Sequence, residues 1–186
     1  MTRIKNLFQT TATSILSMSL LGVVAATPLP AQDSHANHPP APAKLVQAVR
    51  EATKHFVNVN NARNAGYLPT FGCVTGPDHG AMGIHYVNGA LVGDGKIDVT
   101  QPEALIYEPV GNKQILVGVE YIVDAATWLA NNNNTPPMLD DQDFQFVPAP
   151  NRFNLADFFE LHVWAWRDNP QGAFVDWNNR VSCEGQ

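Results

Sequence analysis

Apolar residues recur every three or four positions between residues 44 and 65. Leu45, Val49 and Phe56 follow this spacing, and charged residues lie between them. Such spacing is typical of an amphipathic helix that packs one face on a core. Gly66 comes directly after the pattern and is a common residue at a helix end. The sequence therefore predicts a helix over residues 44–65.

After Gly66 the pattern changes to short runs of β-forming residues separated by turn residues. Two pairs of runs predict hairpins: residues 84–87 with 90–92 around Asn88-Gly89, and residues 103–110 with 113–123 around Gly111-Asn112. A last strongly apolar stretch lies within residues 153–167. A helix followed by hairpin-linked strands predicts an α+β fold, in which an N-terminal helix packs on a mainly antiparallel sheet that could curl into a barrel-like form.

The N-terminal 31 residues have the pattern of a secretory signal peptide. Arg3 and Lys5 precede an uncharged apolar run over residues 15–26. This run is too short to span a bilayer and has the place of a signal-peptide core. Cleavage fits after Ala26 or after Ala31. We therefore expect a periplasmic or secreted protein with no membrane span after cleavage.

The mature chain is expected to be a polar, proline-rich, disordered tail at 32–43 and a single α+β domain at 44–186. Removing residues 1–31 leaves 155 residues and changes the net charge from −6 to −8, since the leader carries two positive charges and no negative one. An acidic chain without a basic run argues against nucleic acid and anionic membranes as partners. A small molecule or a metal ion remains as the expected partner.

Cys73 and Cys183 are the two cysteines of the chain. In an oxidising compartment an even pair is most simply a disulfide. The alternative is that a thiolate binds a metal. The disulfide is the prediction, and it would join the N-terminal part of the domain to its C-terminus.

The hairpin of residues 103–123 brings two carboxylates to one end of a face. If a two-residue turn pairs Val110 with Lys113, counting outward places Glu103 opposite Glu120. Opposed like charges destabilise a sheet unless a positive group lies between them or one is protonated. A slip of one residue in the turn would remove this opposition.

Histidines in apolar runs supply a metal-binding hypothesis. His85 lies in GIHYV, His162 lies in LHVWAW, and His79 precedes His85 by six residues. Histidines combined with carboxylates bind zinc, copper, iron or manganese, and zinc or copper is expected first. The predicted ligands are His85, His162, Glu103, Glu120 and His79. The competing interpretation is that Glu120 pairs with Arg152 or Arg167, and that His162 hydrogen-bonds a backbone carbonyl.

Aromatic side chains near these histidines suggest a ligand pocket. The predicted lining is Tyr86, Tyr107, Trp164 and Trp166; if residues 161–167 form a strand, both tryptophans and Glu160 share the face of His162. Core packing is the alternative explanation.

These features leave three functions open. The first is a metal-binding domain, which could be a small metalloenzyme. The second is a metal-free protein that binds a small apolar ligand, and the third is a protein-interaction module. The chain has no GxSxG, no CxxCH and no phosphate-binding loop, so serine hydrolase, c-type haem and nucleotide chemistry are not indicated.

Several segments resemble a family of small exported bacterial proteins without an assigned activity. The segments are GAMGIHYVNGALV, PEALIYEP, LVGVEYIV and LHVWAWRDNPQGAFVDWNNRVSC, and the resemblance covers about residues 48–183. Where that family has DWNP, this chain has Asn179 in place of the proline. The resemblance implies export and a shared single-domain architecture, and it implies no particular chemistry.

Overall fold

The computed structural model describes residues 43–76 and 78–185. The expected signal peptide at 1–31 lies outside these residues, as does the expected tail apart from Ala43. The helices are α1 (Lys44–Thr53), α2 (Val59–Asn64), α3 (Gly89–Val92) and α4 (Ala125–Asn131), with a 3-10 turn at Lys54–Val57. The strands are β1 (Leu68–Pro69), β2 (Val74–Gly76), β3 (Gly80–Val87), β4 (Ala104–Val110), β5 (Lys113–Asp124), β6 (Met138–Leu139), β7 (Gln142–Asp143), β8 (Gln145–Val147) and β9 (Phe158–Val163).

The predicted N-terminal helix is present but is interrupted. α1 and α2 are joined by the 3-10 turn, and the Asn58 side chain accepts a hydrogen bond from the Asn60 N–H to begin α2. The apolar face of α1 is buried on the sheet. Arg50 Nε donates to the Ala165 carbonyl at 2.8 Å, and Trp166 Nε1 donates to Thr53 Oγ1 at 3.0 Å. These bonds fix the helix to the end of β9.

The main sheet is antiparallel throughout. Its strand order is β1-β3-β4-β5-β9-β8, and β2 also pairs with β3, while β6 and β7 form a separate two-stranded ladder. The α+β class and the mainly antiparallel sheet are therefore confirmed. The strands within the described ranges follow an open path, so a closed barrel is not confirmed.

The prediction of a hairpin around Asn88-Gly89 is wrong. The segment after β3 is helix α3, and the Asn88 side chain accepts a hydrogen bond from the Ala90 N–H at 3.1 Å. Asn88 Nδ2 also donates to the Ala65 carbonyl at 3.2 Å. Asparagine is as good a helix N-cap as it is a turn residue, and here its capping contacts prevail. β3 pairs with β4 instead.

The hairpin of β4 and β5 is confirmed, but its register changes midway. Near the turn, Tyr107 faces Leu116 as counted from Val110 and Lys113; beyond it, Ile106 faces Gly118 because β5 has one extra residue at a bulge. A bulge shifts every later pair by one position. Glu120 therefore lies opposite Ala104, and the predicted opposition of Glu103 and Glu120 is wrong.

Both faces of the central strands are buried. One face packs under α1 and contains the larger core cluster, with Tyr107, Tyr121 and Val163 among its buried members. The opposite face packs against the C-terminal segment and the loop before β9, through Val181 and Phe153. We call these the helix side and the tail side of the sheet.

A disulfide and a close backbone contact hold the C-terminal segment on the tail side. Cys73 and Cys183 are bonded, which confirms the predicted disulfide. Ala81 and Asn178 exchange backbone hydrogen bonds, and a Cβ on Gly80 would lie 2.2 Å from the Asn178 carbonyl oxygen. Gly80 also has a φ of +85°, so this position requires glycine. None of the helices in the described ranges has the length and apolarity needed to cross a membrane.

Candidate metal centre

Three strands of the main sheet bring two histidines and one glutamate together on its tail side. His85 lies on β3, Glu120 on β5 and His162 on β9, and Glu120 is the direct cross-strand partner of His162. β4, which separates His85 from Glu120, contributes the small residue Ala104 opposite Glu120. One ligand atom from each of the three side chains lies within 4.8 Å of the others. Three of the five predicted ligands, His85, Glu120 and His162, therefore lie together.

The polar atoms of this cluster are buried and poorly satisfied. His85 Nε2 lies 3.3 Å from Glu120 Oε2, without the alignment of a hydrogen bond. All four ring nitrogens of His85 and His162 are buried and have no hydrogen-bond partner among the residues described. Buried polar side-chain atoms are nearly always hydrogen-bonded in folded proteins. Four unpartnered nitrogens at one point therefore need an explanation.

Burial determines the protonation of the cluster. It lowers the pKa of His85 to about 3, with a further lowering from the proximity of His162 and an opposing effect of the Gly83 backbone. Burial likewise lowers the pKa of His162 to about 3. The neutral imidazole that results at pH 7 is the form that binds metals. Burial, and next the neighbouring Glu160, raise the pKa of Glu120 well above its usual range.

Two further carboxyl groups border the cluster. Glu160 is buried on β9, two residues before His162, and shares a hydrogen bond with Glu120 that requires a proton on one of the two. Burial raises the pKa of Glu160 to about 7. Asp176 comes from the C-terminal segment, and its Oδ1 lies 3.6 Å from His162 Nδ1. The sequence indicated Glu160 through its strand position, but no spacing indicates Asp176, which arrives through a turn.

Two predicted ligands do not join the cluster. Glu103 borders the helix-side core, where burial, and next the charge of Glu103, raise the pKa values of Tyr67 and Tyr121. Its Oε2 accepts a hydrogen bond from the Ile122 N–H at 3.1 Å. His79 is exposed in the turn before β3 and belongs to no candidate ligand group of the described chain. The bulge in β5 explains why Glu103 does not join the cluster. It shifts the register by one residue, so Glu120 pairs with Ala104 on the tail side and Glu103 faces the helix side.

The arginines proposed as alternative partners of Glu120 bind elsewhere. Arg167 forms an ion pair with Glu108. Arg152 donates to the Thr75 carbonyl and lies over the ring of Trp177. Within the described ranges, no lysine or arginine forms a salt bridge with Glu120. The competing ion-pair interpretation of Glu120 is therefore not supported by the contacts of the arginines.

The four aromatic residues predicted to line one pocket lie on both sides of the sheet. Trp164 is on the tail side, with its ring stacked 6.2 Å from that of His162. Trp166 packs on the helix-side core. Tyr86 and Tyr107 are buried in that same core, where the Tyr107 hydroxyl donates to the Phe56 carbonyl at 2.7 Å. β9 ends at Val163, so the strand alternation assumed for Trp166 does not apply.

A different pocket leads to the cluster. Its cavity volume is about 20 Å³, which is room for about one water molecule, and His85 and Glu120 belong to its lining. Three phenylalanines form much of its wall: Phe71, Phe153 and Phe158. The rings of Phe71 and Phe153 are 5.0 Å apart, and that of Phe153 is 6.4 Å from His85. These phenylalanines come from a loop, a turn and a strand with no common periodicity, so no sequence pattern indicates them together.

Comparison with protein-family models, curated proteins and solved structures gives no match for this chain.

Proposed function

We propose that this protein is an exported metal-binding protein whose centre is formed by His85, Glu120 and His162. The observation that carries the proposal is the meeting of two neutral, buried imidazoles with one carboxyl group. The imidazole nitrogens have no hydrogen-bond partner in the described part of the chain. A divalent transition metal would bind one nitrogen of each imidazole and an oxygen of Glu120. Two histidines and one carboxylate are a ligand set of zinc hydrolases and of non-haem iron enzymes.

The site is suited to chemistry because it offers three ligands and borders a pocket. Catalytic metal centres commonly keep one coordination position for water or substrate. The pocket at His85 and Glu120 has apolar walls and room for about one water molecule, which suits a water at the open coordination position. Zinc would favour hydrolysis and copper or iron would favour oxidation, so the identity of the metal decides the reaction class.

The export proposal has two supports. The first 31 residues have the pattern of a signal peptide. The disulfide between Cys73 and Cys183 is compatible with a periplasmic or extracellular location, where disulfides persist.

Elemental analysis of the full mature protein, purified from the exported fraction without chelator, tests the metal proposal. Near-stoichiometric metal is expected in the wild type and in His79→Ala, a matched histidine variant at an exposed position. A His85→Ala, His162→Ala variant should lose the metal while keeping its circular dichroism spectrum. His35 and His38 should be replaced in every protein compared, so that metal on the tail does not contribute.

A metal-free wild type that takes up no added zinc or copper would refute the proposal. It would favour the second candidate, a protein that binds a small apolar ligand, which would require the phenylalanine-lined pocket to widen. The interaction module has less support, because all four tryptophans are buried or half-buried.

A further inference from the structure

His162 belongs to two groups of potential ligands rather than one. The first group is His85, Glu120 and His162; the second is Glu160, His162 and Asp176. In each group the ligand atoms lie within 4.8 Å of one another. His162 is 1 % exposed, and both of its ring nitrogens lack a hydrogen-bond partner within the described chain.

The Asp176 carboxylate is oriented toward His162 but not bonded to it. Its Oδ2 accepts a hydrogen bond from Gln145 Nε2 at 3.2 Å, while its Oδ1 lies 3.6 Å from His162 Nδ1. This separation exceeds the about 2.7–3.2 Å of an N–H···O hydrogen bond. Nitrogen and oxygen ligands of one tetrahedral zinc ion are about 3.4 Å apart, given bonds of 2.0–2.2 Å. The 3.3 Å between His85 and Glu120 in the first group is close to the same value.

Glu160 supplies an independent observation. Its side chain is 3 % exposed, and its Oε2 has no hydrogen-bond partner among the described residues. Leaving a buried carboxyl oxygen unpaired costs free energy. A cation between Glu160, Asp176 and His162 would remove this cost.

We propose that Glu160, Asp176 and Nδ1 of His162 bind a second divalent metal ion, and that His162 bridges the two ions through its imidazole ring. This inference rests on the proposed function, because the first ion would occupy the site of His85 and Glu120. Bridging requires both ring nitrogens, so the one ring proton of neutral His162 leaves to solvent. The carboxyl groups release their protons as the ions bind.

The charges of such a centre balance. Two divalent ions carry four positive charges, and the carboxylates of Glu120, Glu160 and Asp176 with the imidazolate of His162 carry four negative ones. A neutral total matters because the ligands are buried or half-buried, and an uncompensated buried charge is strongly destabilising. The half-buried Asp176 gives the second ion a route from solvent.

The test is the metal stoichiometry of the full mature chain after loading with zinc and removal of free metal. All proteins carry alanine at His35 and His38. We expect two ions per chain in the wild type and one in Asp176→Asn and in Glu160→Gln. Asp143→Asn, which changes an exposed aspartate in the neighbouring ladder, should keep two.

Copper(II) loading tests the bridge. Two copper(II) ions joined by an imidazolate are magnetically coupled, so the paramagnetic resonance signal of the wild type should integrate to well below its copper content. Asp176→Asn should restore one spin per copper. Full spin intensity from two ions per wild-type chain would overturn the bridge.

The outcomes separate this inference from the proposed function. A single ion per wild-type chain that is lost in His85→Ala supports the first site and overturns the second. Two ions that persist in both Asp176→Asn and Glu160→Gln also overturn the second site. A wild type without any metal refutes both.

Discussion

The carboxyl group of Glu120 and the imidazole of His162 are direct neighbours across the β5–β9 ladder, and both are almost completely buried. A carboxylate beside a histidine commonly forms an ion pair. Here burial opposes the charged form of each group, because it raises the pKa of Glu120 and lowers that of His162. The metal-free pair is therefore neutral, and a metal ion would replace the carboxyl proton without having to displace a cationic side chain.

Metal binding should stabilise the folded protein. A ligand that binds only the folded state at 100 times its dissociation constant adds about 2.7 kcal/mol, which corresponds to about 5–10 °C in melting temperature for a domain of this size. We expect zinc to raise the melting temperature of the wild type and of His79→Ala, measured by calorimetry. Glu120→Gln should show a much smaller rise, because the amide is a poorer ligand. An equal rise in Glu120→Gln would place the bound metal elsewhere.

Tyr107 should matter for stability and not for metal binding. Its buried hydroxyl donates to the Phe56 carbonyl in the helix-side core. Tyr107→Phe would leave that carbonyl without its partner, at a cost of about 1–3 kcal/mol. Urea unfolding should show this loss, and metal content should stay at the wild-type value. Loss of metal from a folded Tyr107→Phe protein would contradict this prediction and would mean that Tyr107 contributes to metal binding.

Glu103 should make the metal-free protein less stable as the pH rises. Burial is the main cause that raises its pKa from 4.5 to about 7, with contributions from Asp94 and Asp98. Between these values the folded state keeps a proton that the unfolded state releases, so the free energy of unfolding falls as the pH rises from 4.5 to 7. The shift corresponds to about 3 kcal/mol.

Urea titrations of the chelator-treated protein at several pH values test this effect. Glu103→Gln keeps an oxygen for the Ile122 N–H but does not titrate, so its free energy of unfolding should fall less over this range than that of the wild type. Glu51→Gln, at an exposed helix position, should behave as the wild type. Identical pH profiles for Glu103→Gln and the wild type would contradict the raised pKa.

The disulfide should contribute strongly to stability. It closes a loop of 110 residues between Cys73 and Cys183, and removal of a native disulfide from a small domain commonly costs about 2–5 kcal/mol. A Cys73→Ser, Cys183→Ser variant should show this loss in urea unfolding. The wild type treated with a reductant should match the variant. A difference of less than about 0.5 kcal/mol would mean that the Ala81–Asn178 contacts hold the C-terminal segment without it.

Local sequence patterns were sufficient to predict several elements, because these elements are stabilised by interactions between residues close in the sequence. The helical spacing of Leu45 and Val49 predicts α1, and the turn at Gly111-Asn112 predicts the β4–β5 hairpin. The two cysteines predict their disulfide from number and compartment alone. Where two local preferences compete, as for Asn88, the sequence could not decide, since a helix cap and a hairpin turn use the same residue.

The candidate site shows the same division. Two histidines and a glutamate in apolar strand-like runs could be identified from the chain, because polar residues in buried strands are unusual. Their convergence depends on strand order: β9 lies beside β5, although the two are separated in sequence by more than 30 residues. The bulge in β5 places Glu103 and Glu120 on opposite sides of the sheet. A single extra residue in a strand leaves no clear trace in the periodicity of the sequence.

The sequence by itself determined the α+β class, the N-terminal helix, the central hairpin, the disulfide and the types of residue available for metal binding. These depend on composition and on periodicity over short stretches. The tertiary structure decided which side of the sheet each polar residue faces, how Glu160 and Asp176 come to border His162, and that three phenylalanines form the pocket at the candidate site. Those features depend on strand register and on contacts between segments that are distant in the sequence. The local sequence pattern determines neither of them.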